Sequence, residues 1–408
     1  MAAGWLPPEG RGHRGRMKFF GLWVLSGWLV VAASAGGVGE GVPDLLLMAD
    51  GRRVESVAAW TGLRRPELLE AFRSEVYGRA AVGRPGDVRF ETSGEPVPAL
   101  EGAAMRRRVR VVYSGPGGEG GVALTCFYPA EGTPKACLLL IVNRSRRIID
   151  EAEVRPTEFW PVRDLIARGY ATAAFHNSDG AADRAGDAFA SGVFRIWGRA
   201  DGARPGDAWG AVAAWSWAAS RALDWLEADD RLRGVPLVVA GHSRGGKAAL
   251  WCGAQDERVA LTISNNSGCT GAALARGTTG ETVRVINEKF PHWFAPNYRG
   301  YAGRESDLPV DQHGLLALMA PRLVYVASAD EDANADPRAE FRACVEAEPV
   351  FALHGLPGVG DATMPIPGEV RHGGAIGYHL RAGGHDLRRE DWARFLDYAD
   401  AWLPGRRR

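Results

Sequence analysis

The sequence predicts an α/β fold, with short apolar strands pairing mostly in parallel and helices on both faces of one sheet. Three observations carry that prediction. Apolar runs of strand length recur at 136–142, 170–176, 236–240, 259–264, 323–328 and 376–380. Helical stretches at 159–168, 209–226 and 341–347 separate several of them, which is the βαβ rhythm of a parallel sheet. One run leads straight into Gly241-His242-Ser243-Arg244-Gly245, a glycine-flanked turn followed by a small-residue helical stretch.

From the N-terminus, Lys18 to Ala35 is apolar, is preceded by Arg11, Arg14 and Arg16, and closes in Ala33-Ser34-Ala35. The pattern predicts a signal peptide over residues 1–35, and a peptide beginning at Met17 has standard proportions for one. The stretch is short for a membrane span and lacks a stop-transfer flank, so export to the periplasm or medium without stable membrane insertion is expected. Residues 36–408 then read as one domain. Pro66–Phe72 has helical spacing ending near Tyr77-Gly78, and the 209–226 helix is rich in Ala and Trp. Arg108–Tyr113 and Val122–Tyr128 read as antiparallel strands joined by the glycine-rich turn Ser114–Gly121. Near the C-terminus, Val350–His354 reads as a strand and Trp392–Trp402 as the terminal helix.

Composition narrows the function. The 408 residues carry 49 basic and 49 acidic side chains, a balance that gives no electrostatic reason to bind nucleic acid. Five scattered cysteines with no C-x-x-C pair indicate neither a zinc site nor a disulfide framework. Cys126, Cys137 and Cys252 lie in apolar runs and are expected to pack as small hydrophobes, while a Cys269–Cys344 bridge stays open.

The turn at Ser243 has the form of a nucleophile elbow, which holds a hydroxyl exposed above the end of a strand. Such a serine needs a base to take its proton and an acid to orient that base, in the chain order Ser, acid, His. His385, in a glycine-rich loop after the last strand, is the candidate base. The strand at 323–328 empties into Asp330-Glu331-Asp332, making Asp332 the candidate acid and Asp330 the reserve. Asp336 precedes Pro337 and is expected to cap a helix. His379 is expected to be packed in its strand, and His242 and His292 to be structural or to line the pocket. No HGGG loop follows the early strands; Val142-Asn143-Arg144-Ser145-Arg146-Arg147 stands there. The backbone N–H and guanidinium of Arg244 are therefore the candidate oxyanion donors. Lys247, one helical turn on, either faces the same cleft or lies on a solvated helix face.

Several motifs in one order, including GHSRGGKAAL (241–250), SNNSGCTGAAL (264–274), FPHWF (290–294), LPVDQH (308–313) and GYHLRAGGHD (377–386), resemble those of bacterial glucuronoyl esterases, carbohydrate esterase family 15. The resemblance spans about residues 50–403. It implies a single α/β-hydrolase catalytic domain, a three-layer αβα sandwich with a mostly parallel central sheet. It further implies a monomeric carboxylic ester hydrolase that cleaves the ester between glucuronic acid on xylan and lignin alcohols, with no metal or other cofactor. By that resemblance Ser243 is the nucleophile, His385 the base, Arg244 the oxyanion arginine and Lys247 the lysine that holds glucuronate hydroxyls. Two positions depart. Asn266 stands where many members have the acidic residue, which passes the role to Asp332. Asn334 stands where the family has a substrate-stacking tryptophan; Trp293 is a substitute for it, although core packing is the stronger expectation there. The departures keep two alternatives open, an acetylxylan esterase or related carbohydrate deacetylase, and a catalytically decayed carbohydrate-binding protein.

Overall fold

In the computed structural model, which describes residues 41–198, 202 and 204–403, one sheet organises the chain. The expected signal peptide lies outside the described residues. Six strands lead in: β1 (Arg89–Thr92), β2 (Val97–Ala99), β3 (Ala104–Gly115), β4 (Gly118–Pro129), β5 (Cys137–Val142) and β6 (Ala171–His176). Five follow: β7 (Leu237–His242), β8 (Val259–Asn265), β9 (Leu323–Ala329), β10 (Val370–Arg371) and β11 (Ile376–Arg381). Their spatial order is β1-β3-β4-β6-β5-β7-β8-β9-β11-β10, with β2 beside β3. From β6 to β11 every pairing is parallel, and antiparallel pairs lie at both edges.

Strand alternation divides the core in two. In β5, Cys137, Leu139 and Ile141 face one layer and Leu138, Leu140 and Val142 the other, because successive side chains leave opposite faces of a pleat. The first layer receives the Trp-rich helix Ala211–Ala228 and the helix Arg244–Gln255 that follows the elbow. The second receives Val162–Ala167 and the terminal helix Arg389–Trp402. The three-layer α/β-hydrolase sandwich expected from the sequence is the fold observed. Among the described residues, no helix is long and apolar enough to cross a membrane.

Two expectations need correction, and the open disulfide pairing is answered. Val350–His354 is not a strand: Val350–Leu353 close a long helix, Pro337–Leu353, whose Ala343, Cys344, Ala347, Val350 and Phe351 form a buried stripe. A short apolar run cannot distinguish a strand from one helical face, and Pro349 sits inside that helix without ending it. The turn between β3 and β4 is only Pro116-Gly117, because the ladder continues to Gly115 and Gly118. Cys269 and Cys344 form no bridge; all five cysteines are free and buried. The segment between β8 and β9 also contains two helices with no clear periodic signal, Val283–Lys289 and Gln312–Ala317.

Candidate active site

The elbow is built by close packing. A Cβ on Gly241 would lie 2.1 Å from the carbonyl oxygen of Gly245, and one on Gly245 would lie 2.9 Å from that of Ile141, so neither position accepts a side chain. Ser243 is held at φ 56°, ψ −125°, a strained backbone that lifts its hydroxyl off the strand. The sheet ladder runs on into the site: Ser243 N–H donates to Asn265 O at 2.9 Å, and Asn266 N–H donates to Ala327 O at 2.7 Å. The Ser243 carbonyl accepts from Gly246 and Lys247, while the helix offers no acceptor to the N–H of Arg244.

The loops after β9 and β11 are joined the same way. Asp330 N–H donates to Arg381 O and Glu331 N–H to Gly383 O, at 3.0 and 3.1 Å. This register sets His385 against Asp332, with 2.5 Å between Nδ1 and Oδ2. Asp330 instead accepts the Gly383 N–H at 2.8 Å, so it shapes the His385 loop and does not touch the ring. Asp332 Oδ2 also accepts from Asn266 Nδ2 at 2.8 Å. Burial raises the Asp332 pKa, but the hydrogen bonds from His385 and Asn266 outweigh it and hold the carboxyl below its usual range. His385 is 43% exposed at its side chain, with Nδ1 taken up by Asp332. Its ring lies 4.6 Å from that of His242, the residue before Ser243. His242 is buried, bonds Asn265 through Nδ1 at 2.6 Å, and is pushed down to about 3 by burial and by the neighbouring His385, so it stays neutral.

The loop bearing His385 is not loose despite its glycines. Arg381, buried at the end of β11, donates to the carbonyls of Ala382, Gly384 and Asp386 and to the buried Asp391 carboxylate. His379 is packed in its strand as expected, between Tyr325 and Asp391.

On the other side of Ser243, Arg244 pairs with Asp183 and lies 5.0 Å from the centre of the Trp293 ring. Asp183 also accepts from Trp293 Nε1 at 2.8 Å and His292 Nε2 at 3.1 Å. Burial raises the Asp183 pKa, yet the His292, Arg244 and Trp293 contacts bring it down to about 2. Trp293 is 3% exposed and stacked on Phe290 at 3.8 Å, so it is a packed residue that orients Asp183 and not a substitute stacking platform. Lys247 is 4% exposed, which discards the solvated helix face. Its ammonium donates to Ser267 O at 2.6 Å and to Cys269 O, leaving one N–H, and lies 6.0 Å from the Trp293 ring centre. Burial lowers the Lys247 pKa. Asn334 is exposed, and its backbone carbonyl accepts from Glu281 N–H. Asp336 caps its helix by accepting from Ala339 N–H at 3.0 Å.

Three residues of this arrangement carry no motif in the sequence, Asp183, Glu281 and Glu340, and Arg381 lies in a motif without having been singled out. Glu340 is fully buried behind the Asn266 turn, accepting from Gly268 N–H at 2.8 Å, Ser328 Oγ at 2.6 Å and Ser267 Oγ at 3.3 Å. Burial drives its pKa up to about 7. Only the helical spacing from the Asp336 cap hinted at an inward-facing position.

A serine on a strained elbow, with a histidine ring packed against the residue before it and backed by a carboxylate at the carboxyl ends of parallel strands, suits acyl transfer to water. The fold and site are those of an α/β-hydrolase carboxylic ester hydrolase. A family model for fungal glucuronyl esterase matches residues 159–355. The carbohydrate esterase MZ0003, from an unknown prokaryotic organism, is 35% identical over 393 residues, covering 89% of this chain and 90% of that protein. The solved glucuronoyl esterase of Solibacter usitatus superposes with a TM-score of 0.82 at 35% identity, covering 88% of this chain and 98% of the other. That of Teredinibacter turnerae gives 0.79 at 28% identity, over 89% and 90%. The chain belongs to the glucuronoyl esterases of carbohydrate esterase family 15.

Proposed function

We propose that this protein hydrolyses the ester between the carboxyl of a glucuronic acid and an alcohol, by a covalent acyl-enzyme on Ser243. The observation that carries the reading is the 2.5 Å contact between His385 Nδ1 and Asp332. A carboxylate there holds the imidazole in the tautomer whose Nε2 accepts a proton, and stabilises the imidazolium that results. Ser243 Oγ attacks the ester carbonyl as His385 Nε2 takes its proton. Negative charge develops on the carbonyl oxygen opposite the N–H of Arg244, where the helix N-terminus adds favourable dipoles. Collapse expels the alcohol, protonated by His385. Water, deprotonated by the same nitrogen, then attacks the acyl carbon and releases the uronic acid and Ser243. The remaining N–H of Lys247 supports recognition of the sugar hydroxyls from the floor of the cleft.

Export belongs to the same proposal, supported by the basic, apolar and small-residue order of the first 35 residues. N-terminal sequencing of the secreted protein tests it, with a start near Gly36 expected.

The deciding assay is hydrolysis of benzyl glucuronate beside acetylated xylan, with wild type and Ser243→Ala in parallel. Uronic acid released by wild type alone supports the reading. Acetate release alone would make the protein a deacetylase, and failure of Ser243 to label with an organophosphonate would indicate a binding role.

A further inference from the structure

We propose that Arg144 forms the subsite for the leaving alcohol and that it selects aromatic alcohols by stacking. This rests on the ester hydrolysis proposed above. Whatever leaves Ser243 takes its proton from His385, so the alcohol departs along the exposed side of that ring. Two contacts place Arg144 close to that ring. Its guanidinium pairs with Asp386, the residue after His385, at 2.8 Å. It lies 4.8 Å from the centre of the Phe159 ring, and Phe159 in turn packs edge-on against His242 at 5.8 Å. Phe159 is buried, whereas the Arg144 side chain is 39% exposed. The guanidinium thus covers an aromatic floor on one face and leaves part of its surface open to a ligand.

Arg144 is fixed before any ligand arrives. Its carbonyl oxygen accepts from His176 Nε2 at 2.6 Å, and His176 Nδ1 faces the Ser178 hydroxyl at 2.7 Å. A planar cation held at backbone and head loses little freedom on binding. Asp386 already neutralises its charge, which removes the attraction for a free anion and leaves the flat face as the distinctive feature. Guanidinium planes stack on aromatic rings, a geometry that a saturated alcohol such as methanol cannot use.

The test compares kcat/KM for the benzyl and methyl esters of glucuronate in wild type, Arg144→Ala, Arg144→Lys and Asp386→Asn. The benzyl-to-methyl ratio is expected to fall about fivefold in both Arg144 variants, mainly through KM, as loss of one exposed stacking contact predicts. Arg144→Lys keeps a cation beside Asp386, so the test survives if Arg144→Ala folds poorly. Asp386→Asn, which breaks the pair and keeps the plane, is expected to retain most of the ratio. Equal losses on both esters in the Arg144 variants would make Arg144 a brace for the His385 loop and overturn the subsite, as would an unchanged ratio. A wild type that cleaves neither ester would instead refute the underlying activity, and the subsite with it.

Discussion

Asp332 presents one carboxylate oxygen to two donors, His385 Nδ1 at 2.5 Å and Asn266 Nδ2 at 2.8 Å. Asn266 therefore holds the acid, and Asp332 reaches the imidazole itself.

Asp332→Asn is expected to lower kcat by about 10³–10⁴, because an amide favours the wrong histidine tautomer. Asp330→Asn, which disturbs only the Gly383 contact, is expected to cost about tenfold or less. Steady-state kinetics on a glucuronate ester decides between them, and the reverse ranking would move the acid to Asp330.

Removing the Asn266 amide leaves Asp332 with fewer donors, so Asn266→Ala is expected to cost about tenfold in kcat. Asn266→Asp has a different signature. A second carboxylate beside Asp332 raises the pKa of one of the pair. Protonation then begins at higher pH, and activity is expected to fall earlier on acidification than in wild type. A kcat/KM profile with an unmoved acid limb would contradict this arrangement.

Asp183 orders Arg244, His292 and Trp293 around one carboxylate. Its folded pKa, about 2, lies below the ordinary value. Its contribution, about 2 kcal/mol, is therefore present above pH 4 and lost as pH falls toward 2. Asp183→Asn is expected to reduce kcat about tenfold and to remove part of the acid sensitivity seen in denaturant melts.

Glu340 behaves in the opposite sense. Its folded pKa of about 7 exceeds the usual carboxyl value, so the folded state holds a proton that the unfolded chain has released. Stability is then expected to fall, by about 3 kcal/mol, as pH rises from about 4 through 7. Glu340→Gln mimics the protonated form and should flatten that slope between pH 5 and 8. Equal slopes in the two proteins would show that Glu340 stays ionised.

Much of this protein is legible without coordinates because the signals are local. A buried parallel strand needs a short apolar run, an elbow needs glycines beside Ser243, and a histidine after the last strand has one place to go. Those signals select Ser243, His385 and Asp332 as candidates, and the fold brings the last two into contact. The misreadings were local as well: Val350–His354 looked like a strand because one apolar helical face and one short strand share a composition. What no window of sequence contains is the choice of partner. Asn266 meets Asp332 across 66 residues, Arg244 meets Asp183 across 61, and Arg144 meets Asp386 across a longer interval still. Those pairings follow from the parallel register that aligns the carboxyl ends of β5, β6, β7, β8, β9 and β11. Which carboxylate faces the imidazole, and which amide steadies it, was decided by sheet geometry, because a hydrogen bond is set by distance and direction in space and not by separation along the chain.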